Sequence, residues 1–165
     1  MKLTLTTFQT SMFATPSTKE TRKMKTLYIV RGAAGSGKST YCKNVLIPKI
    51  KEQFGVEVVN HENDAYFTDE QGNYNWNAKD MPKAIAVCFA NVRHDLETKG
   101  VAIVSNTFIK RNTMKEYYDL AHELGATVKV IRMDTWYGSV HNVPAFVVKN
   151  MRNGIEPIEG EEVVK

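Results

Sequence analysis

Residues 26–40 read TLYIVRGAAGSGKST. The run 26–30 has the apolar character of a short buried strand, and a glycine-rich turn follows it directly. Inside that turn, Gly32-Ala33-Ala34-Gly35-Ser36-Gly37-Lys38-Ser39 fits the spacing G-x-x-x-x-G-K-[ST]. Each residue type has a chemical reason. Glycines let consecutive backbone N–H groups point into one concavity that wraps a phosphate. A helix starting near Gly37 aims the positive end of its dipole at the same anion. Lys38 is placed to reach the β- and γ-phosphates, and the Ser39 hydroxyl to ligate Mg²⁺. The strand before and the helix after separate this pattern from an ordinary glycine turn. It predicts a nucleoside triphosphate site for ATP and Mg²⁺, with Thr40 closing the set of contacts.

Working outward, the periodicity alternates between strand and helix. A helix is expected over 38–53, with Tyr41, Val45, Leu46 and Ile50 on its apolar face and a kink or break at Pro48. A second strand is expected at 56–60, a polar turn-rich loop at 69–77, and a long helix over 79–98. That helix carries Ile85, Cys88, Phe89, Val92 and Leu96 on one face and stops at Gly100. A third strand follows at 101–105 and a third helix at 113–124, with Met114, Tyr117, Tyr118, Ala121 and Leu124 inward. A fourth strand at 127–133 and a helix over 144–152 complete the pattern. Strands alternating with helices predict an α/β domain of three layers, a mainly parallel sheet of at least four strands with helices on both faces. The domain is expected over 25–152, between an N-terminal extension (1–24) and a loose acidic tail (153–165).

The 165 residues carry a net charge of +4, and the excess lies at one end. Lys2, Lys19, Arg22, Lys23 and Lys25 face Glu20 alone in the first 25 residues, leaving 17 basic and 17 acidic side chains beyond them. A binder driven by a basic face is therefore not expected. No apolar run approaches the roughly 20 residues that span a bilayer, and there is no secretory core sequence, so no membrane partner and a cytoplasmic setting are expected. Cys42 and Cys88 sit in no metal-binding or disulfide spacing, and His61, His94, His122 and His141 are scattered. Free thiols suit a reducing compartment, and Cys42 reads either as packing or as a redox-sensitive thiol.

Motor ATPases end an apolar strand in carboxylates that hold Mg²⁺ and polarise water. Here the corresponding run VAIVSNT ends in Ser105, Asn106 and Thr107, and no guanine-reading Asn-Lys-x-Asp occurs. A compact kinase-like protein fits best. The succession LYIVRGAAGSGKST, NDAYF, GNYNW, VSNTF, MKEY with LAHELG, and HNVP followed by VVKNM resembles the polynucleotide-kinase-like P-loop proteins common in bacteriophages. These are often labelled AAA-family ATPases or predicted kinases. The resemblance spans about residues 26–152 and implies a P-loop kinase fold and transfer of the ATP γ-phosphate to a hydroxyl.

By that resemblance Asp64, in NDAYF, matches the acid that takes the proton from the acceptor hydroxyl, and it is also a metal-ligand candidate beside Ser39. The position is sensible, because strand ends of a parallel sheet face the ligand crevice. Asn106 stands where relatives carry an acid, and with Thr107 it is a candidate to hold an acceptor or a metal-bound water. Relatives also place arginines in a lid over the phosphates, yet no Arg or Lys lies between Arg132 and Lys149. Lys110 and Arg111 are the first candidates to substitute, followed by Arg31, Arg132 and Arg152. His141, in HNVP, reads as a ligand contact or as loop packing. Tyr66, Phe67, Tyr74 and Trp76 read as loop anchors or as a stacking surface, and Trp136 as a cover for adenine. Acceptors compatible with the resemblance are a nucleic-acid 5′-hydroxyl, a nucleotide or a small metabolite. The competing reading is a nucleotide-binding switch or weak ATPase that docks on a protein partner.

Overall fold

The computed structural model describes residues 24–138 and 141–165, so the expected N-terminal extension lies outside the described residues apart from Met24. Five parallel strands form one sheet in the order β2-β3-β1-β4-β5: β1 (Lys25–Arg31), β2 (Asn60–His61), β3 (Val101–Asn106), β4 (Ala126–Met133) and β5 (Glu162–Val164). β1 is central and buried on both faces. Leu27 and Ile29 pack with Cys88, Val92, Leu96 and Val104 on one side. Tyr28 and Val30 pack with Cys42, Leu46, Ile50 and Ile131 on the other. Both faces being covered explains why β1 and β3 read as continuous apolar runs rather than as alternation. From β1 the chain builds one side of the sheet with β2 and β3, then crosses to the other with β4 and β5. The crevice at the strand C-termini beside β1 is therefore the switch point where ligands bind in such sheets.

The helix after the glycine loop runs as α1 (Lys38–Tyr41), a π-helical turn (Cys42–Leu46) and α2 (Ile47–Phe54). Pro48 falls in the first turn of α2, so the expected break is a widened turn rather than an interruption. A proline ring collides with the carbonyl four residues back in a regular helix, and the wider turn relieves that contact.

Four expectations need correction. The second strand covers Asn60–His61, not 56–60; Val58 enters the core while Val59 is 55% exposed, without joining the ladder. On α3 (Met81–Thr98) the buried stripe is Ala84, Cys88, Val92, Asp95 and Leu96, and Ile85 faces solvent. The stripe includes a buried polar anchor: Asp95 pairs with His61 at 2.8 Å and with Lys99 at 3.1 Å. On α4 (Lys115–Leu124) Tyr117, Leu120 and Ala121 are buried with Met114 just ahead, while Tyr118 is 37% exposed.

The fourth correction is the largest. Residues 153–165 are not a loose tail: β5 extends the sheet, pairing Ile131–Met133 with Glu162–Val164. α5 (Ala145–Gly154) leads into it, with Pro144 directly before the helix. The segment is held by Arg31, whose side chain has no exposure to water. Its guanidinium donates to Phe108 O (3.1 Å), Ile109 O (3.3 Å), Glu156 O (2.8 Å) and the Glu161 carboxylate (3.0 Å). Glu161 also lies 2.9 Å from Arg132. Removing one partner of a buried pair strands the other charge, so Glu161→Ala is expected to lower stability by about 3 kcal/mol. Urea unfolding measures it, and a loss below about 1 kcal/mol would mean that the pair does not hold the C-terminal segment.

Candidate phosphate and acceptor site

The loop between β1 and α1 has the backbone that its glycines permit. Gly37 has φ 83°, in the left-handed region, and a Cβ there would lie 2.8 Å from the Tyr137 ring. At Gly32 a Cβ would lie 2.7 Å from Ser36 Oγ and 2.8 Å from Met133 O. Both positions admit glycine alone. The loop is braced from both sides of β1: Gly32 N donates to Thr107 O at 3.2 Å, and Tyr137 N donates to Gly35 O at 2.9 Å. Thr135 Oγ1 adds a bond to Ser36 O at 2.6 Å. Ala33 is buried, Ala34 and Gly35 are half-buried, and Thr40 is exposed on the first turn of α1. Ser36 Oγ is buried beside Gly32 without a partner among the described residues.

Lys38 reaches back across the loop, donating from Nζ to Gly32 O at 3.0 Å and Ala33 O at 2.9 Å. An ammonium has three donors, so one is left for a ligand. Burial pushes the Lys38 pKa down, while Glu62 and Asp64 oppose that shift. Two carboxylates thus lie within electrostatic reach of the lysine.

Those carboxylates are placed differently. Ser39 Oγ donates to Glu62 Oε1 in a short hydrogen bond. The same oxygen accepts from Asn60 Nδ2 at 2.9 Å and Ser105 Oγ at 2.8 Å, and Asn60 Nδ2 also reaches Ser105 Oγ at 2.8 Å. The carboxylate against the P-loop serine is therefore Glu62. Sequence reading passed over it because attention fell on the acid two residues later; its position directly after the second strand was the available signal.

Asp64 is exposed, on a 3₁₀ turn spanning Asn63–Phe67. Its Oδ1 accepts from Tyr74 OH at 3.2 Å. Asn106, at the end of β3, accepts from Asn63 N at 2.9 Å through Oδ1. The side chain of Asn106 is thus occupied in holding the turn that presents Asp64. Burial and the Asp64 charge push the Tyr74 phenol up to about 12, so it remains a donor at neutral pH. Tyr74 stacks on His141, ring centroids 3.9 Å apart, which joins the 69–77 loop to the segment after β4. Phe67 is the buried anchor of the aromatic group, edge-on to Tyr66 at 5.3 Å and Tyr74 at 6.3 Å. Trp76 and Trp136 stand about half exposed, at 54% and 51%.

The basic candidates for the lid are mostly engaged elsewhere. Arg31 is buried in its carbonyl cage, and Arg132 pairs with Glu161. Lys110 and Arg111 both face Glu156, at 3.4 and 3.9 Å. Arg152 is exposed on α5 and, with Lys149, Asp134 and Trp136, lines a cleft of about 370 Å³.

A phosphate-wrapping loop at the centre of a five-stranded parallel sheet, with acids at the strand ends around it, defines a P-loop domain of the kinase-like type. The chain belongs to the AAA domain family AAA_33, whose model matches residues 27–136. It is 26% identical over 151 residues to an uncharacterized protein, PM0531, of Pasteurella multocida (strain Pm70), covering 84% of this chain and 82% of that one. Its fold is similar to that of a predicted kinase of Chloroflexus aurantiacus j-10-fl (TM-score 0.56, 16% identity, 86% of this chain and 87% of that one). It is also similar to a gluconokinase of Sinorhizobium meliloti 1021 (TM-score 0.51, 18% identity, 87% and 83%). Among the described residues no helix is long and apolar enough to cross a membrane.

The two thiols resolve toward packing. Cys42 and Cys88 are both buried, and burial pushes the Cys42 pKa up to about 12. The upward shift keeps the Cys42 thiol protonated, its unreactive form. A thiol-reactive disulfide reagent is expected to label neither cysteine in minutes under native conditions and both after denaturation. Rapid native labelling of Cys42 would restore the redox reading.

Proposed function

We propose that this protein is an ATP-dependent phosphotransferase that moves the γ-phosphate onto a hydroxyl acceptor. The observation that carries the reading is the exposed Asp64 carboxylate, which acts on the Lys38 charge from a turn held by Asn106 and Tyr74. A pure binding site needs no exposed carboxylate fixed on such a turn within electrostatic reach of the phosphate lysine. The loop amides and Lys38 bind the triphosphate and offset its charge. Asp64 orients the acceptor hydroxyl and takes its proton as the new O–P bond forms and the bond to the ADP oxygen breaks.

The residues present suit Mg²⁺. Ser39 and Glu62 offer hard oxygens, and no group of three or more His, Cys, Asp or Glu among the described residues could hold a metal ion. Mg²⁺ is commonly bound by one or two protein oxygens together with substrate phosphates, so this donor set fits a cation that arrives with the nucleotide. When bound, the cation supplies charge neutralisation at the phosphate oxygens. Acceptors consistent with the resemblance to polynucleotide-kinase-like proteins are a nucleic-acid 5′-hydroxyl, a nucleotide or a small metabolite.

A second reading is favoured by one specific feature. The segment after β4 carries no arginine and ties itself to the loop through the Tyr137 backbone N–H and the Thr135 hydroxyl. Transfer without a charged lid would be slow, and a nucleotide-dependent switch acting on a protein partner would need no such lid.

Two substitutions test the proposal. Wild-type protein at a hundred times Kd gains about 2.7 kcal/mol of stability from ATP. Lys38→Ala is expected to abolish that gain in a thermal melt, and undiminished stabilisation would rule out the phosphate site. Asp64→Asn is expected to bind ATP normally while losing about 10²- to 10⁴-fold in transfer of γ-label to an acceptor. Label on no acceptor, from wild-type protein offered oligonucleotides, nucleosides and sugars, would favour the switch.

A further inference from the structure

We infer that Glu62 is the cation-side carboxylate of the phosphate site, doing from β2 what an acid at the end of β3 would otherwise do. The inference rests on the phosphate-site reading above and adds to it a residue that neither the motif nor the end of β3 indicates.

The end of β3 offers Ser105, Asn106 and Thr107, none of which carries charge. β3 lies directly beside β1, with Val30 opposite Ser105 and Arg31 opposite Asn106. A carboxylate rooted there would face the P-loop helix. Glu62 follows the next strand out, β2, and bridges the gap: Ser105 donates to it at 2.8 Å, and Ser39 donates to it from the other side. The missing charge is thus replaced across one strand, with Ser105 reduced to a hydrogen-bond donor that aims it.

The direction of the Ser39 bond is the chemical argument. A serine that ligates a cation must turn a lone pair toward it and send its own proton elsewhere. Glu62 Oε1 is where Ser39 sends it. That oxygen takes three donors, from Ser39, Asn60 and Ser105, while no described hydrogen bond falls on Oε2. One oxygen orients the carboxylate and the other is left to act.

A second, independent observation points to missing donors beside Glu62. The amide oxygens of Asn60 and Asn63 are buried without a hydrogen-bond donor among the described residues. Asn60 cannot resolve this by turning over, because its Nδ2 already donates to both Glu62 and Ser105. Buried acceptors without donors are costly, and both flank Glu62 in the chain. A Mg²⁺ ion keeps several of its waters when it binds, and those waters are donors. Glu62 is one of two carboxylates whose charge acts on Lys38.

The test is the metal dependence of nucleotide binding, read by calorimetry with a non-hydrolysable ATP analogue in EDTA and in Mg²⁺. Electron paramagnetic resonance of Mn²⁺ with and without the analogue serves as a second readout. Wild-type protein is expected to bind the analogue about tenfold or more tightly with Mg²⁺, and to hold Mn²⁺ only when the analogue is present. Glu62→Gln keeps the shape and the acceptor for its three donors. In EDTA it is expected to bind the analogue at least as tightly as wild type, because a negative charge near the phosphate lysine is removed, and to lose the Mg²⁺ enhancement and most bound Mn²⁺. Full enhancement in Glu62→Gln would overturn the assignment while leaving the phosphate site standing. Wild-type protein that binds no analogue under either condition would overturn the phosphate site and this inference with it. Should Glu62→Gln not fold, Glu62→Asp keeps the charge but draws it away from Ser39. Its enhancement is expected to fall at least about threefold, and an unchanged value would equally overturn the assignment.

Discussion

A guanidinium fully withdrawn from water sits at the end of the central strand, one residue before the glycine loop begins. Arg31 could not be buried there without complete hydrogen bonding, because an isolated charge in the interior costs many kcal/mol. Its partners are drawn from three regions: the carbonyls of Phe108 and Ile109 after β3, the carbonyl of Glu156, and the carboxylate of Glu161 before β5. The fifth strand is thereby tied to the first, and the loop after β3 is held against the base of the phosphate loop. The position of Gly32, and so the mouth of the site, depends on that cage being closed. It also removes Arg31 from any role over the phosphates.

Around the loop the two acids divide the work by where their elements end. Glu62 leaves β2 at the level of Ser39 and is drawn inward by hydroxyl and amide donors. Asp64, two residues later, has turned outward on a 3₁₀ turn and meets Tyr74 at the crevice rim. Two residues apart in sequence, the two side chains therefore have different partners: Ser39, Asn60 and Ser105 for Glu62, and Tyr74 for Asp64. Asn106 links the two, since it holds the backbone of Asn63 between them. The aromatic loop is part of this arrangement rather than a decoration of it, with Phe67 anchoring and Tyr74 reaching both Asp64 and His141.

Much of the architecture was legible in the chain. The phosphate loop, the apolar runs of β1, β3 and β4, and the helices α3 and α4 all followed from local spacing, because each buries a face whose period shows in the residues. What failed failed for a common reason. Ile85 looked like a core residue, yet it is exposed although Val92 and Leu96 on the same face are buried, so what covers that face changes along α3. The run 56–60 looked like a strand but lies at the sheet edge, where only Asn60 and His61 find partners on β3. Residues 153–165 looked too acidic to pack, and Glu161 packs because Arg31 and Arg132 are waiting for it.

The sequence by itself determined the phosphate loop, since eight adjacent residues carry its whole requirement: glycines where a Cβ would collide, a lysine that spans the loop and a hydroxyl at the helix start. It determined the α/β order of the elements for the same local reason. Tertiary structure alone decided which acid meets Ser39, which bases are free, and where the last strand lies. Those outcomes turn on pairs separated by 23 residues for Ser39 and Glu62, 43 for Glu62 and Ser105, and 130 for Arg31 and Glu161. No period or spacing encodes such pairs; they exist because a folded sheet brings strand ends together, and a buried charge accepts no arrangement in which they stay apart.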